Sequence, residues 1–482
     1  MKASTPAKLC LLLSLAAAPA HAQTDRSGPD AIAASLSEIL ALVTLGAVTT
    51  QDQAPQITQS GADYLVRLPL KGFTTPPDAA VNAVAHPLDG GLWDIASMTF
   101  PSAGTVEMTA AHAGVTRIAY SIGQQAIHMR IDPSFAQSSS FAADVGSIKL
   151  HTDQGDHHSE QVFDRYVADG TVSSEAPGQL NFSSRGKATN WHLTVQEPNG
   201  IAADGLVRTL SGKVAVEGLD RAQGTRLMAA TRALMDGAQT AAPSGQIPSI
   251  SPVQRQSLRA VVDALSGLLT RFSAEETLND IRFSVGPTNG GTLGHVRVNM
   301  TGDSARGRLN AGLNIAMDDL AVSALPAETA AYVPRHFGIK SVLAGVRTGP
   351  LTALLHAAAE PNADASALQA QFMALFSEPE ARIAIESLTF DSGPMQVTGS
   401  ARFVPRPNGQ LGADIHFSAI GMDAFMAKAQ AVPAMQQALP VMFMAKGMGR
   451  QEGGAMVWDI ALGDGPPTVN GVPFGQPAPR KR

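Results

Sequence analysis

The chain has 482 residues, 44% hydrophobic and 5% aromatic, with a formal net charge of −6 and one cysteine. A mildly acidic, mixed composition argues for a soluble surface and excludes nucleic acid as a partner, because phosphate binding needs a clustered positive field. So few aromatic rings give no sign of a carbohydrate-stacking platform.

At the N-terminus, MKASTPAK is followed by LCLLLSLAAA and then PAHA. A short basic region, an apolar run and a small-x-small site read as a secretory signal peptide over residues 1–22, cleaved after Ala22. The run is shorter than the ~20 residues that a membrane span needs. Cys10 lies within it, so the mature chain is expected to be free of cysteine, without disulfides, thiolate metal sites or cysteine nucleophiles. Removing Lys2 and Lys8 lowers Lys plus Arg from 35 to 33 against 41 Asp plus Glu, a net charge of −8. The expected location is a Gram-negative periplasm. Past residue 22 no stretch of ~18 uninterrupted apolar residues occurs, so no transmembrane segment is expected in the mature chain.

Within Ala31 to Val48, residues Ile32, Leu36, Ile39, Leu40 and Val43 form a helical stripe that a core can bury. From about residue 55 to 220 the period is two. Tyr64, Val66, Leu68 and Leu70 alternate with Leu65, Arg67, Pro69 and Lys71, and Trp191, Leu193 and Val195 alternate with His192 and Thr194. Such alternation is what an antiparallel sheet with one wet and one dry face requires. HPLDGG (86–91) and QEPNG (196–200) supply turns. A helix is expected over Thr225 to Met235. A second starts at Ser251 and Pro252 and puts Leu258, Val261, Val262, Leu265, Leu268, Leu269 and Phe272 on one face.

Period two returns after residue 276, with Val296, Val298 and Met300 on one side and His295, Arg297 and Asn299 on the other. Ile281 to Pro326 and Leu388 to Pro433 share Gly-Pro, Gly-x-Leu-x-Ala and Met-Asp in the same order, and read as a repeated strand-turn-strand unit leading into a helix or loop. Further helices are expected at Ala365 to Phe376 and from Asp423 to about Lys446, the second broken by Pro433 and Pro440. The chain therefore divides into a β-rich half (23–240), a linker and helix (241–275), a second β-rich half (276–475) and a disordered basic tail (476–482).

The common catalytic motifs are missing. There is no Gly-x-Ser-x-Gly, no His-Glu-x-x-His, no phosphate loop and no dinucleotide fingerprint. One dense polar stretch, HTDQGDHHSE, offers His151, Asp156, His157 and His158 as candidate metal ligands, beside Asp153 and Glu160. Adjacent His157 and His158 point to opposite sides of an extended backbone, and a hydrated hairpin tip is the alternative. His128, His192, His295 and His416 fall on polar strand faces, as solvent-facing residues do. Methionine is unevenly spread, and Met422, Phe425, Met426, Met435, Met442 and Phe443 are candidates for an adaptable apolar groove, against the alternative of gap-filling core.

The run LPVMFMAKGMGRQEGGAMVWDIALGDGPPTVNGVPFG, together with VSALPAETAAYVPRHFGIK, resembles a family of exported alphaproteobacterial proteins described as a domain of unknown function. It is more distantly similar to the AsmA-like and YdgA-like envelope proteins. That resemblance, strongest over residues 276–475, implies long, curved antiparallel sheets ending in a strand with an Asn-Gly turn, and it brings no catalytic residues. This chain departs from the AsmA-like pattern in that its N-terminal hydrophobic segment is expected to be removed.

The expected fold is α+β and strand-dominated, with long curved antiparallel sheets and amphipathic helices packed on their apolar faces. The expected function is non-enzymatic and needs no cofactor: an envelope protein that binds or shields apolar material, either lipid acyl chains or a hydrophobic segment of another envelope protein. Two alternatives stand beside it, a hydrolase or metal-dependent enzyme using the His/Asp cluster at 151–160, and an assembly partner.

Overall fold

A backbone whose side chains alternate between wet and dry satisfies its peptide groups by pairing with neighbouring strands, and the protein is built in this way. The structure, a computed structural model, describes residues 28–474 apart from 44–48, 51–53, 72, 111–113, 133–136, 177, 198–201, 240–251, 266, 269, 287, 324, 326, 331, 361–362, 379, 406–410 and 464. The expected signal peptide, the linker at 241–248 and the basic tail lie outside the described residues. The chain divides into two compact units, Met1–Leu278 with Phe283–Gly286, and Asn279–Arg282 with Pro287–Arg482.

The first unit begins with helix α1 (Pro29–Val43). Its strands are β1 (Thr49–Thr50), β2 (Gln56–Ser60), β3 (Asp63–Lys71), β4 (Phe73–Thr75), β5 (Ala80–Pro87), β6 (Trp93–Thr99), β7 (Ala103–Ala110), β8 (Gly114–Ser121) and β9 (Gln124–Asp132). Four longer strands follow: β10 (Gln137–Gln154), β11 (His157–Ala176), β12 (Gln179–Gln196) and β13 (Ala202–Asp220). All the pairings described are antiparallel. β10 is long enough to pair β9 through residues 137–146 and β8 through residues 149–154. The pairings run β3–β5–β6–β9–β10–β8–β7–β4, and β4 continues β3 with residue 72 between them, so the circuit closes on itself.

Helix α1 packs on the dry face of this circuit. Ile32, Leu36, Ile39 and Leu40 join Val66, Leu68, Leu70, Val81, Trp93, Ile95 and Ile131 in one cluster, every member no more than 9% exposed. Each such side chain contributes about 1.5–3 kcal/mol by leaving water. Ile32, Leu36, Ile39 and Leu40 of the predicted stripe are therefore on the buried face of the helix.

Across β10 to β13 the alternation changes phase. Phe163 is buried, Asp164 and Arg165 are both exposed, and burial resumes at Tyr166 and Ala168. The pairing register is the same on either side, yet the partners expected at 147/164, 164/190 and 190/208 drop out. Ser147 and Asn190 hold left-handed backbone there, at φ 54° and 49°. The Asn190 side chain donates to Asp164 Oδ2 at 2.6 Å across the gap. Two neighbouring residues thus face outward, and the dry side passes from odd to even positions.

Asp220 accepts from the Gln223 amide at 2.8 Å and caps α2 (Arg221–Gln239). Helix α3 (Pro252–Leu265) packs against α2. Here the sequence reading is corrected. The helix stops at Leu265, Leu268 turns back into a cluster with Leu180, Phe182, Val216 and Leu219, and Phe272 already belongs to strand β14 (Arg271–Val285). A helical stripe drawn through Phe272 crosses a chain reversal. The division between the two units falls within β14.

The second unit holds β15 (Asn289–Asp303), β16 (Arg308–Asp318), β17 (Ala321–Val322), β18 (His336–Arg347), β19 (Arg382–Asp391), β20 (Gln396–Pro405) and β21 (Leu411–Ile420). It ends with β22 (Arg450–Glu452), β23 (Ala455–Leu462), β24 (Thr468–Val469) and β25 (Val472–Pro473). The main pairings run β15–β16–β18–β19–β20–β21–β23. A single helical turn, Ala327–Ala330, and four longer helices accompany them: α4 (Thr348–Ala358), α5 (Ala365–Ala374), α6 (Met422–Gln430) and α7 (Leu439–Met448). A 3₁₀ segment, Pro433–Ala438, separates α6 from α7. In both copies of the suspected repeat a strand end, a positive-φ glycine (Gly286, Gly393) and two further strands follow one another; the first copy then enters the short β17 and the second enters α6. The sequence reading did not anticipate α4. Among the described residues no helix is long and apolar enough to cross a membrane.

Candidate functional site

Directly paired residues of antiparallel strands share a face, so the register of the second unit assembles apolar rows. One row runs Val296, Met317, Phe337, Phe390, Val397, Ala419, Met456. The next runs Val298, Ile315, Ile339, Leu388, Gly399, Phe417, Trp458, and a third carries Met300, Leu313, Ser341, Ile385, Ala401, Ile415 and Ile460. Gly399 makes room for the Phe417 ring, because a Cβ there would stand 2.5 Å from the ring. At about 4.8 Å per strand, seven strands give a surface roughly 29 Å wide.

This face is covered only in part. Every Val, Ile, Leu, Phe and Trp in the first two rows is partly exposed and none is fully buried, while Met300 and Leu313 are 48% and 37% exposed. In the first unit, under α1, the corresponding positions Val66, Leu68 and Leu70 are 2%, 1% and 1% exposed. The helices of the second unit meet the sheet near its margins. Val346, Leu375, Phe376 and Ala381 form a core with Leu343, Leu351 and Ile383 beside the C-terminal half of β18. Phe425 of α6 stands edge-on to Tyr332, at 4.9 Å and 90°, just before β18 begins. α7 is held to β23 by the Trp458 indole, which donates to Ala445 O at 2.7 Å. The Asn470 side chain ties the same helix down by donating to Met448 O at 2.8 Å.

The methionine-rich candidates do not share one pocket. Met422, Phe425 and Met426 are core residues, 8%, 6% and 4% exposed. Met435 and Met442 are half-buried, and Phe443 projects to solvent beside Val441 and Met444. The apolar rows were missed as a site because they come from seven separate strands; their signal was the alternation itself.

On the polar faces, histidine pairs with aspartate. Among the described residues eight histidines have a ring nitrogen within 3.0 Å of an Asp carboxylate, including His128 with Asp94, His192 with Asp204 and His416 with Asp459. His128, His192 and His416 are exposed, as the sequence reading has it, and His295 is half-buried; their aspartate partners were not foreseen. Hydrogen bonding from His416 holds the Asp459 carboxyl below the usual carboxylate range, with Arg450 adding to the effect.

The densest of these groups is at the β10–β11 hairpin. Asp153 faces His158 across the pair, and His151 lies two residues before Asp153 on the same side. His151 Nε2 and His158 Nδ1 stand 3.0 Å and 2.6 Å from the same oxygen, Asp153 Oδ1. Hydrogen bonding from His158, with the charge of both rings, holds the Asp153 carboxyl below its ordinary value. His151 and His158 are thus brought together, and Asp153 takes the place expected for Asp156. Asp156 sits in the turn, and His157, paired with Gln154, lies on the opposite face from His158. A cleft of about 550 Å³ over Arg382, Glu386, Arg402, His416 and Asp459 is another concavity, in which Arg382 pairs with Glu386 and His416 with Asp459.

No protein-family profile, curated protein or solved structure matches this chain. The functional reading therefore rests on the geometry.

Proposed function

We propose that the protein is an exported, periplasmic carrier or shield for lipid acyl chains, and that the partly covered apolar face of the second unit is where the chains lie. The observation that carries this reading is the contrast in burial between two faces of similar composition: closed under α1 in the first unit, open over two rows of large side chains in the second. Apolar surface left beside water is unfavourable by about 25 cal/mol per Å², and an extended acyl chain removes it without needing a directional partner. One acyl layer is about 15 Å, half of a ~30 Å hydrocarbon core, and fits within the roughly 29 Å span of the rows. Helices α4 to α7 then serve as partial covers of the face rather than as its whole lid. Localisation follows from the signal-like N-terminus, and the sequence resemblance to AsmA-like chains points toward the same envelope setting. The catalytic motifs sought in the sequence are absent from it, so the reading asks for no reaction.

The test uses the full chain, stripped of lipid and titrated with a fluorescent C16 fatty acid, with palmitate as competitor. Saturable binding that palmitate reverses is expected, and Ile339→Asp, which places a charge in the middle row, should abolish it while leaving the far-UV circular dichroism unchanged. Absence of saturable binding, or an Ile339→Asp variant that binds as well as the wild type, would overturn the proposal.

A further inference from the structure

We propose that His151, Asp153 and His158 form a three-ligand site for a divalent transition metal of the zinc class, with its remaining position open to water. The argument starts from the hairpin. Gly155 takes φ +59° at the tip, so β10 and β11 reverse over Gly155 and Asp156, and the register opposes Asp153 to His158. The strand period of two puts His151 on the side of Asp153. All three ligands therefore project from one face of one hairpin, and no distant segment has to be brought in.

The atoms converge. His151 Nε2, Asp153 Oδ1 and His158 Nδ1 all lie within 4.8 Å of one another. Tetrahedral zinc with bonds of about 2.0–2.1 Å separates its ligand atoms by roughly 3.3 Å, a spacing that small side-chain rotations reach from 3.0 Å and 2.6 Å. The two imidazoles are nearly parallel, 13° between planes with centroids 6.5 Å apart. The three side chains are 48%, 35% and 45% exposed, so an ion enters without opening the fold and water completes its shell. Two imidazoles and one carboxylate suit zinc and its neighbours in the first transition row better than calcium or magnesium, which prefer oxygen alone.

The surrounding charge is mixed, with Lys149 two residues before His151 on the same face and acids beside it. Glu160 is paired with His151 on the same face. Arg117, paired with Asp153 from the other side, is neutralised by Glu107, on which its Nε and Nη2 both converge at 2.9 Å and 2.8 Å.

The second unit supplies an internal control. His295 and His336 flank Asp318, but they approach different carboxylate oxygens, Oδ2 and Oδ1, and His336 turns its other nitrogen to Thr389 at 3.1 Å. Those ring nitrogens diverge around the carboxylate. That triplet is a hydrogen-bonded bridge between strands, and it should not hold an ion.

The experiment is titration of the metal-free full chain with Zn²⁺ by calorimetry and with Co²⁺ by visible absorption. One ion per chain is expected, with the intense Co²⁺ bands of a four-coordinate site. His158→Ala and His151→Gln should each weaken binding by more than roughly tenfold, since groups that merely support a ligand are already worth about 10–100-fold. His336→Ala should leave binding unchanged. A wild type without stoichiometric uptake overturns the proposal, and so does binding that survives His158→Ala in a chain with unaltered circular dichroism. Equal loss in His336→Ala overturns it too, by showing that uptake is not localised at the hairpin.

Discussion

The open face and the closed face make opposite demands on the same substitution. Ile32 of α1 is 0% exposed. Ile32→Ala removes three methyl or methylene groups at about 0.8 kcal/mol each, and the closed cavity left behind raises the loss to about 3–4 kcal/mol. Ile339, in the middle row of the second unit, is partly exposed and its removal encloses no cavity, so Ile339→Ala should cost only about 1–1.5 kcal/mol. Urea unfolding of lipid-free protein measures both. Trp93 and Trp191 report the first unit and Trp458 the second, so a Trp458→Phe background isolates one signal and Trp93→Phe with Trp191→Phe isolates the other. A gap of about 2 kcal/mol is expected. If Ile339→Ala costs as much as Ile32→Ala, the second face is packed shut and the acyl-chain reading loses its basis.

Three further outcomes follow from particular contacts. Burial, with the Phe73 ring edge-on at 6.0 Å, pushes the Tyr120 phenol up to about 12, so alkaline titration at 295 nm should show a late component that Tyr120→Phe removes; a titration curve whose late part is unchanged by Tyr120→Phe would contradict this. Asp153 and Asp459 have depressed folded-state values, so their stabilisation is present above about pH 3.9 and is lost as pH falls through the folded values. Asp153→Asn and Asp459→Asn should accordingly lower the melting temperature at pH 7 and converge on the wild type in acid, whereas a difference that grows on acidification reverses the sign of the argument. Gly421 has φ +80° and a Cβ there would meet Pro394 O at 2.2 Å, while Gly90 has φ +77° with open space around it. Gly90→Ala should cost only the left-handed backbone term of about 1–2 kcal/mol and Gly421→Ala distinctly more, as read by thermal denaturation; equal costs would mean that the Pro394 turn yields freely.

Much of the architecture was legible because burial repeats locally. The stripe from Ile32 to Leu40 and the alternation from Tyr64 to Leu70 each need only a few consecutive residues to declare themselves, and Pro433 announces the break between α6 and α7 through its missing amide hydrogen. The phase change at Asp164 and Arg165 was not legible in the same way. Its cause is backbone conformation at Ser147 and Asn190, and nothing in a serine or asparagine within an alternating run says that it will take positive φ. The candidate metal site was half legible. Histidine density marked the stretch, but the choice of Asp153 over Asp156 depends on where the hairpin turns, and a one-residue shift exchanges the faces of every side chain beyond it.

That dependence on register also explains why the two histidine triplets differ. Around Asp153 one ligand comes from the same strand and one from the partner strand, so both imidazoles reach the carboxylate from nearly the same side and share an oxygen. Around Asp318 the histidines come from strands on opposite edges, β15 and β18, and the carboxylate is drawn between them with one oxygen to each. The same three residue types thus converge as candidate cation ligands in one arrangement and fasten three strands in the other. Composition alone does not distinguish them; the strand that each imidazole comes from does.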